Sequence, residues 1–131
     1  MNAPASEKIK IALIDPDPAA VARIKEMAAA SSLPAVVSDV MSGETPELKD
    51  ADLIVISLAS FDETSREAVV RVRSGFPAAP LIVLSGPGGS TWTGEVLGLG
   101  AQHVLDKGAL TPEKLSSTIR YYARYARRTG P

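Results

Sequence analysis

A chain of 131 residues with a formal net charge of −1 suits one domain with its own core and gives no electrostatic reason to expect a nucleic-acid or acidic-membrane partner. Cysteine is absent, which excludes disulfides, thiolate metal sites and thiol chemistry, and a lone His103 excludes a histidine-rich metal centre. Residues 1–7 are polar, without a signal peptide's apolar stretch, and no apolar run approaches the roughly 20 residues that span a bilayer, so no membrane contact and a cytoplasmic location are expected.

Residues 9–14 are apolar except for Lys10 and stop at Asp15, the pattern of a buried strand. Asp17 and Pro18 then open a helix as cap and first residue, with Val21, Ile24, Met27 and Ala28 at helical spacing. Residues 35–37 are a second, weaker strand, and residues 45–50 a short helix capped by Thr45. Leu53, Ile54, Val55 and Ile56 give the strongest strand signal, branched and wholly apolar. A helix is expected over 62–74, with Ala68, Val69 and Val72 inward, and a buried strand over 80–84. The loop from Ser85 to Ser90 leads into a poor helix over 91–99, weakened by Gly94 and Gly98. A fifth strand over 101–105 precedes a last helix that starts at Thr111-Pro112 and runs to about Arg127, with Leu115, Ile119, Tyr122 and Ala126 as its inner stripe.

Strand and helix thus alternate five times. Runs that are apolar on both faces imply a parallel sheet covered by helices on each side. Right-handed crossovers favour a three-layer α/β/α sandwich of the flavodoxin type, five parallel strands in the order 2-1-3-4-5. The expected domain spans 8–128, between a disordered tail at 1–7 and a short tail at 129–131. In such sheets function gathers at the carboxyl ends of the strands. That directs attention to residues 15–17, 57–62, 85–89 and 107–108.

These strand ends carry a family resemblance that covers nearly all of the chain. KIALIDPDP, DADLIVISLASFD, PLIVLSG and GLGAQHVLDKG, in that order and at workable spacing, resemble a receiver domain of bacterial two-component signalling. The resemblance implies transfer of a phosphoryl group from a kinase histidine to an aspartate of the receiver, beside a magnesium ion held by carboxylates and water. It also implies that Ser85 and Lys107 are the family's hydroxyl and lysine, which hold phosphoryl oxygens. Two positions depart from the pattern. Ser57 stands where the phosphoacceptor aspartate belongs, and its hydroxyl, un-ionised at neutral pH, needs a neighbouring base. His103 is poorly placed for that, about 13 Å from the strand end at about 3.3 Å per residue. Pro16 replaces the second of two adjacent acids after the first strand. Asp15 and Asp17 are then the remnant of the acidic pocket, and Asp17 is better used as a helix cap. Receiver-type phosphorylation is therefore not expected, and magnesium binding is expected to be weak or absent.

The remaining features have plain readings. Ser57 fills the former aspartate position and hydrogen-bonds locally, a serine-kinase target being the alternative. Asp15 and Lys107 pair directly. The loop of Gly86, Gly88 and Gly89 lacks the Lys-Ser/Thr ending of a phosphate-binding loop. His103 is a structural or surface residue. The face formed by the helix before the fifth strand, that strand and the last helix is the candidate partner surface, with Trp92, Val104, Arg120, Tyr121 and Arg124. Basic residues near the end of the last helix also suit its macrodipole.

The expected function is a stand-alone pseudo-receiver that is not an enzyme, carries no cofactor and acts through phosphorylation-independent contact with a histidine kinase, a response regulator or another regulator, or as a homodimer through that face. One alternative is a working receiver with a rearranged site that uses Asp17 or Asp62. A small-ligand-binding or enzymatic α/β domain is another, supported by fold analogy alone.

Overall fold

The computed structural model describes residues 8–15, 17–31, 33–39, 51–86 and 91–129. The expected short helix at 45–50 lies outside them. Five strands form one sheet: β1 (Ile9–Ile14), β2 (Ala35–Asp39), β3 (Leu53–Leu58), β4 (Leu81–Ser85) and β5 (His103–Asp106). Every ladder is parallel and the order is β2-β1-β3-β4-β5, as expected from the alternating pattern. Among the described residues four α-helices flank it: α1 (Pro18–Ala30), α2 (Glu63–Gly75), α3 (Thr93–Gly98) and α4 (Pro112–Thr129).

Alternation along the strands sorts the core into two halves. Ile11, Leu13, Leu53, Val55, Ile82 and Leu84 pack with Val21, Ile24 and Ala28 of α1 and Leu115, Ile119 and Ala123 of α4. Ala12, Ile54, Ile56, Leu81 and Val83 pack with Val69 and Val72 of α2 and Val96 of α3. Both faces of β3 and β4 are buried, which is why their sequences read as unbroken apolar runs.

Local chemistry sets the helix starts. The Asp17 carboxylate accepts the Ala19 N–H at 3.1 Å, with Pro18 next. Asp62 accepts both the N–H and the hydroxyl of Ser65, at 2.9 and 3.1 Å, and these bonds hold its carboxyl below the ordinary value. Thr111 accepts the Lys114 N–H at 3.1 Å. Trp92, ahead of α3, provides no side-chain cap, and that helix has only 6 residues.

Strand β5 begins two residues later than expected, for a visible reason. Gly100 has φ of +115°, and Gln102 supplies side-chain as well as backbone bonds to the start of β4. The Gln102 carboxamide oxygen accepts the Leu81 N–H at 2.7 Å and one Arg73 nitrogen at 3.3 Å. Arg73 also donates to the Pro77 carbonyl at 2.9 Å, and burial pushes its guanidinium below the ordinary value. A Cβ at Gly100 would stand 2.8 Å from Arg73 Cγ. Gly100→Ala is therefore expected to cost about 2 kcal/mol, from left-handed backbone and steric crowding together. A thermal melt would show it, and an unchanged midpoint would refute it.

Candidate functional site

The carboxyl ends of β1, β3 and β4 and the turn after β5 bring the marked residues together. Asp15 follows β1 and is 3% exposed. One of its carboxylate oxygens accepts the Asp17 N–H at 2.9 Å, and the other faces Lys107 Nζ at 3.2 Å. The direct pair expected from the sequence is thus present. Lys107 lies beyond β5, in a single 3-10 turn over Lys107–Ala109, shaped by the Asp106 carboxylate accepting the Gly108 N–H at 2.8 Å. Ser57 sits opposite Leu84 in the ladder and is half-buried. Its hydroxyl makes no hydrogen bond among the described residues, contrary to the expected local bond. Ser85 is buried, its hydroxyl 3.4 Å from the Leu105 carbonyl.

Asp17 does not complete an acidic pocket. One oxygen of its carboxylate is held as the α1 cap, and the side chain lines a neighbouring cleft of about 300 Å³ with Arg23, Ile24, Met27, Lys107 and Leu110. Pro16 lies outside the described residues. His103 is two ladder positions and two strands away from Ser57, and Tyr122 lies beside it with its hydroxyl 3.4 Å from Nδ1. No base therefore reaches the Ser57 hydroxyl from His103.

A magnesium ion, which the fold implies at such a place, prefers several carboxylate and water oxygens. The donors here do not fit it well. Among the described residues Asp15 is the single buried carboxylate, it is already paired with Lys107, and no three His, Cys, Asp or Glu side chains cluster.

The candidate partner residues fall into two groups. Tyr121 is 64% exposed, edge-on to Tyr122, and exposed Arg120 donates to Ser116 Oγ at 3.0 Å. Trp92 and Val104 are only half-exposed and pack against the core half beneath α2 and α3, so neither stands free on the surface. The Arg124 side chain lies outside the described residues. The sequence reading missed that Trp92 stacks on Phe61, with ring centroids 5.4 Å apart, and that Arg66 pairs with Glu95. One signal was available, for the Phe61–Arg66 contact alone: Phe61 directly precedes the Asp62 cap, where a side chain commonly folds back on the first turn.

Comparison with solved structures fits this geometry. The chain superposes on a CheY-like response-regulator receiver domain protein from Methanospirillum hungatei with a TM-score of 0.74, at 16% identity, over 95% of this chain and 100% of that one. The phosphorylated cyanobacterial phytochrome response regulator RcpA gives 0.65 at 21% identity, over 95% and 98%. A putative pilus assembly-related protein from Burkholderia pseudomallei gives 0.76 at 17% identity, over 88% and 90%. The fold is the receiver fold. No family model matches the sequence, and no curated protein matches it. Within the receiver fold, Ser57, Ser85 and Lys107 lie near the carboxyl edge, on β3, at the end of β4 and just past β5 respectively. Among the described residues no helix is long and apolar enough to cross a membrane.

Proposed function

We propose that the protein is a pseudo-receiver of two-component signalling, a non-enzymatic adaptor that binds a kinase, a response regulator or another regulator without being phosphorylated and without a bound metal. The observation that carries this reading is the Asp15–Lys107 pair. The carboxylate that would help hold a metal and the lysine that would hold a phosphoryl group neutralise each other, beside a serine in the acceptor position. Protein contact is supported by the exposed Tyr121 and by Leu97 of α3, 43% exposed. A net charge of −1 gives nucleic acid little electrostatic attraction.

The test is an NMR titration of labelled protein with magnesium, then with beryllofluoride as a phosphoryl mimic. The amides of Asp15, Ser57, Ser85 and Lys107 are expected to stay in place at millimolar concentrations of both. A concerted shift of those amides that spreads to α3 and β5 would overturn the reading and mark a working receiver with a rearranged site.

A further inference from the structure

Helix α3 has little means of holding itself. It is 6 residues long, includes Gly94 and Gly98, and starts without a side-chain cap. An isolated helix of that length and composition is unstable in water, because nucleation is costly and each glycine adds backbone freedom. Its order must therefore come from what it touches. Val96 is fully buried against the sheet. Further ties reach across to the start of α2 and the residue ahead of its cap. Trp92 stacks on Phe61 at an interplanar angle of 18°, Glu95 pairs with Arg66, and the Arg66 guanidinium lies 5.2 Å from the centre of the Phe61 ring. At the base of the same junction the Gly86 N–H donates to the Leu58 carbonyl at 2.9 Å, and a Cβ at Gly86 would stand 2.9 Å from the Ala59 oxygen.

We propose that Phe61, Arg66, Trp92 and Glu95 form a latch between the starts of α2 and α3 at the carboxyl edge, and that this latch sets whether α3 is ordered on the sheet or released from it. The device has two parts of different character. The aromatic stack is insensitive to salt, whereas the Arg66–Glu95 pair, with side chains 39% and 48% exposed, weakens as ionic strength rises. Release would withdraw Leu97 from the face assigned above to partner contact, so the latch is a point at which a partner or a substitution changes that face without acting on Asp15, Ser57 or Lys107. It is a property of the two helix starts and stands whether or not the pocket accepts a phosphoryl group. Its failure is therefore distinguishable from failure of the pseudo-receiver reading, which the magnesium and beryllofluoride titration decides.

Trp92 is the only tryptophan in the chain, so its emission reports on the latch directly. The experiment uses the full chain and the variants Phe61→Leu, which keeps apolar bulk but removes the stack, and Arg66→Met, which keeps the stem but removes the charge. Hydrogen exchange of the amides at 95–99 is the second readout. Phe61→Leu is expected to shift Trp92 emission to longer wavelength and to speed exchange at 95–99 by about tenfold, the factor set by about 1.4 kcal/mol of aromatic pairing. Exchange in β1 and α1 should stay as it was. Arg66→Met should give a smaller acceleration, and adding salt to the unsubstituted protein should reproduce it. Unchanged emission and exchange in both variants would overturn the latch. So would an acceleration equal in α3, β1 and α1, which would mark general destabilisation instead.

Discussion

Lys107→Met is expected to lower stability by about 2 kcal/mol, because it strands a buried carboxylate whose remaining described partner is one backbone N–H. Removing one member of a buried pair commonly costs about 3–5 kcal/mol. The Lys107 side chain is 29% exposed, so water already shares its charge and the smaller figure applies. For a domain of this size the midpoint of thermal unfolding should fall by about 8 °C. Asp15→Asn combined with Lys107→Met should recover most of the loss, since no charge is then left buried. Thermal melts of the wild type, the two single variants and the double variant close the cycle. If Lys107→Met melts with the wild type, the pair does not neutralise the pocket and the main support for the pseudo-receiver reading is gone.

Placing acids at positions 16 and 57 is expected to create a metal response that the wild type is expected to lack. The double variant Pro16→Asp with Ser57→Asp adds one carboxylate next to Asp15 in sequence and one near the carboxyl end of β3. Without metal these like charges repel, and the variant should be less stable than wild type. Magnesium relieves the repulsion and should raise the melting temperature in a saturable way. At ten times its dissociation constant the gain is about 1.4 kcal/mol, and wild type under the same conditions should gain nothing measurable. Calcium, larger and looser in its geometry, serves as a comparison ion. A wild-type stabilisation as large as that of the double variant would show that the natural residues already hold the ion.

The architecture was legible because its signals were local and redundant. Leu53 to Ile56 and Leu81 to Leu84 are apolar on both faces, and a sheet flanked on both sides by helices accounts for that directly. Asp17-Pro18 and Thr111-Pro112 fixed two helix starts through side-chain and ring chemistry that needs no tertiary information. The pairing of Asp15 with Lys107 followed from burial and charge, since each was the other's available partner. What stayed hidden depended on residues far apart in the chain. Nothing near Trp92 announces Phe61, and nothing near Glu95 announces Arg66, because each contact crosses from the start of one helix to the start of another. The same holds for Tyr122, whose hydroxyl meets the Gln102 carbonyl at 3.2 Å as well as His103. Asp17 was assigned two roles from its sequence neighbours, and only its contact with Ala19 separated them.

The double use of Gln102 bears on how the edge of the sheet is held. Its side chain takes the Leu81 N–H and shares Arg73, so the register at which β5 begins is written partly in a side chain and partly in a helix on the far side of β4. Those bonds exist only once α2 has been laid against the sheet and β4 is in place. Strand β5 is thus the piece whose seat is shared: its start is tied to α2 through Arg73 as well as to β4 through Leu81, so a change at Arg73 reaches the edge of the sheet without touching a strand.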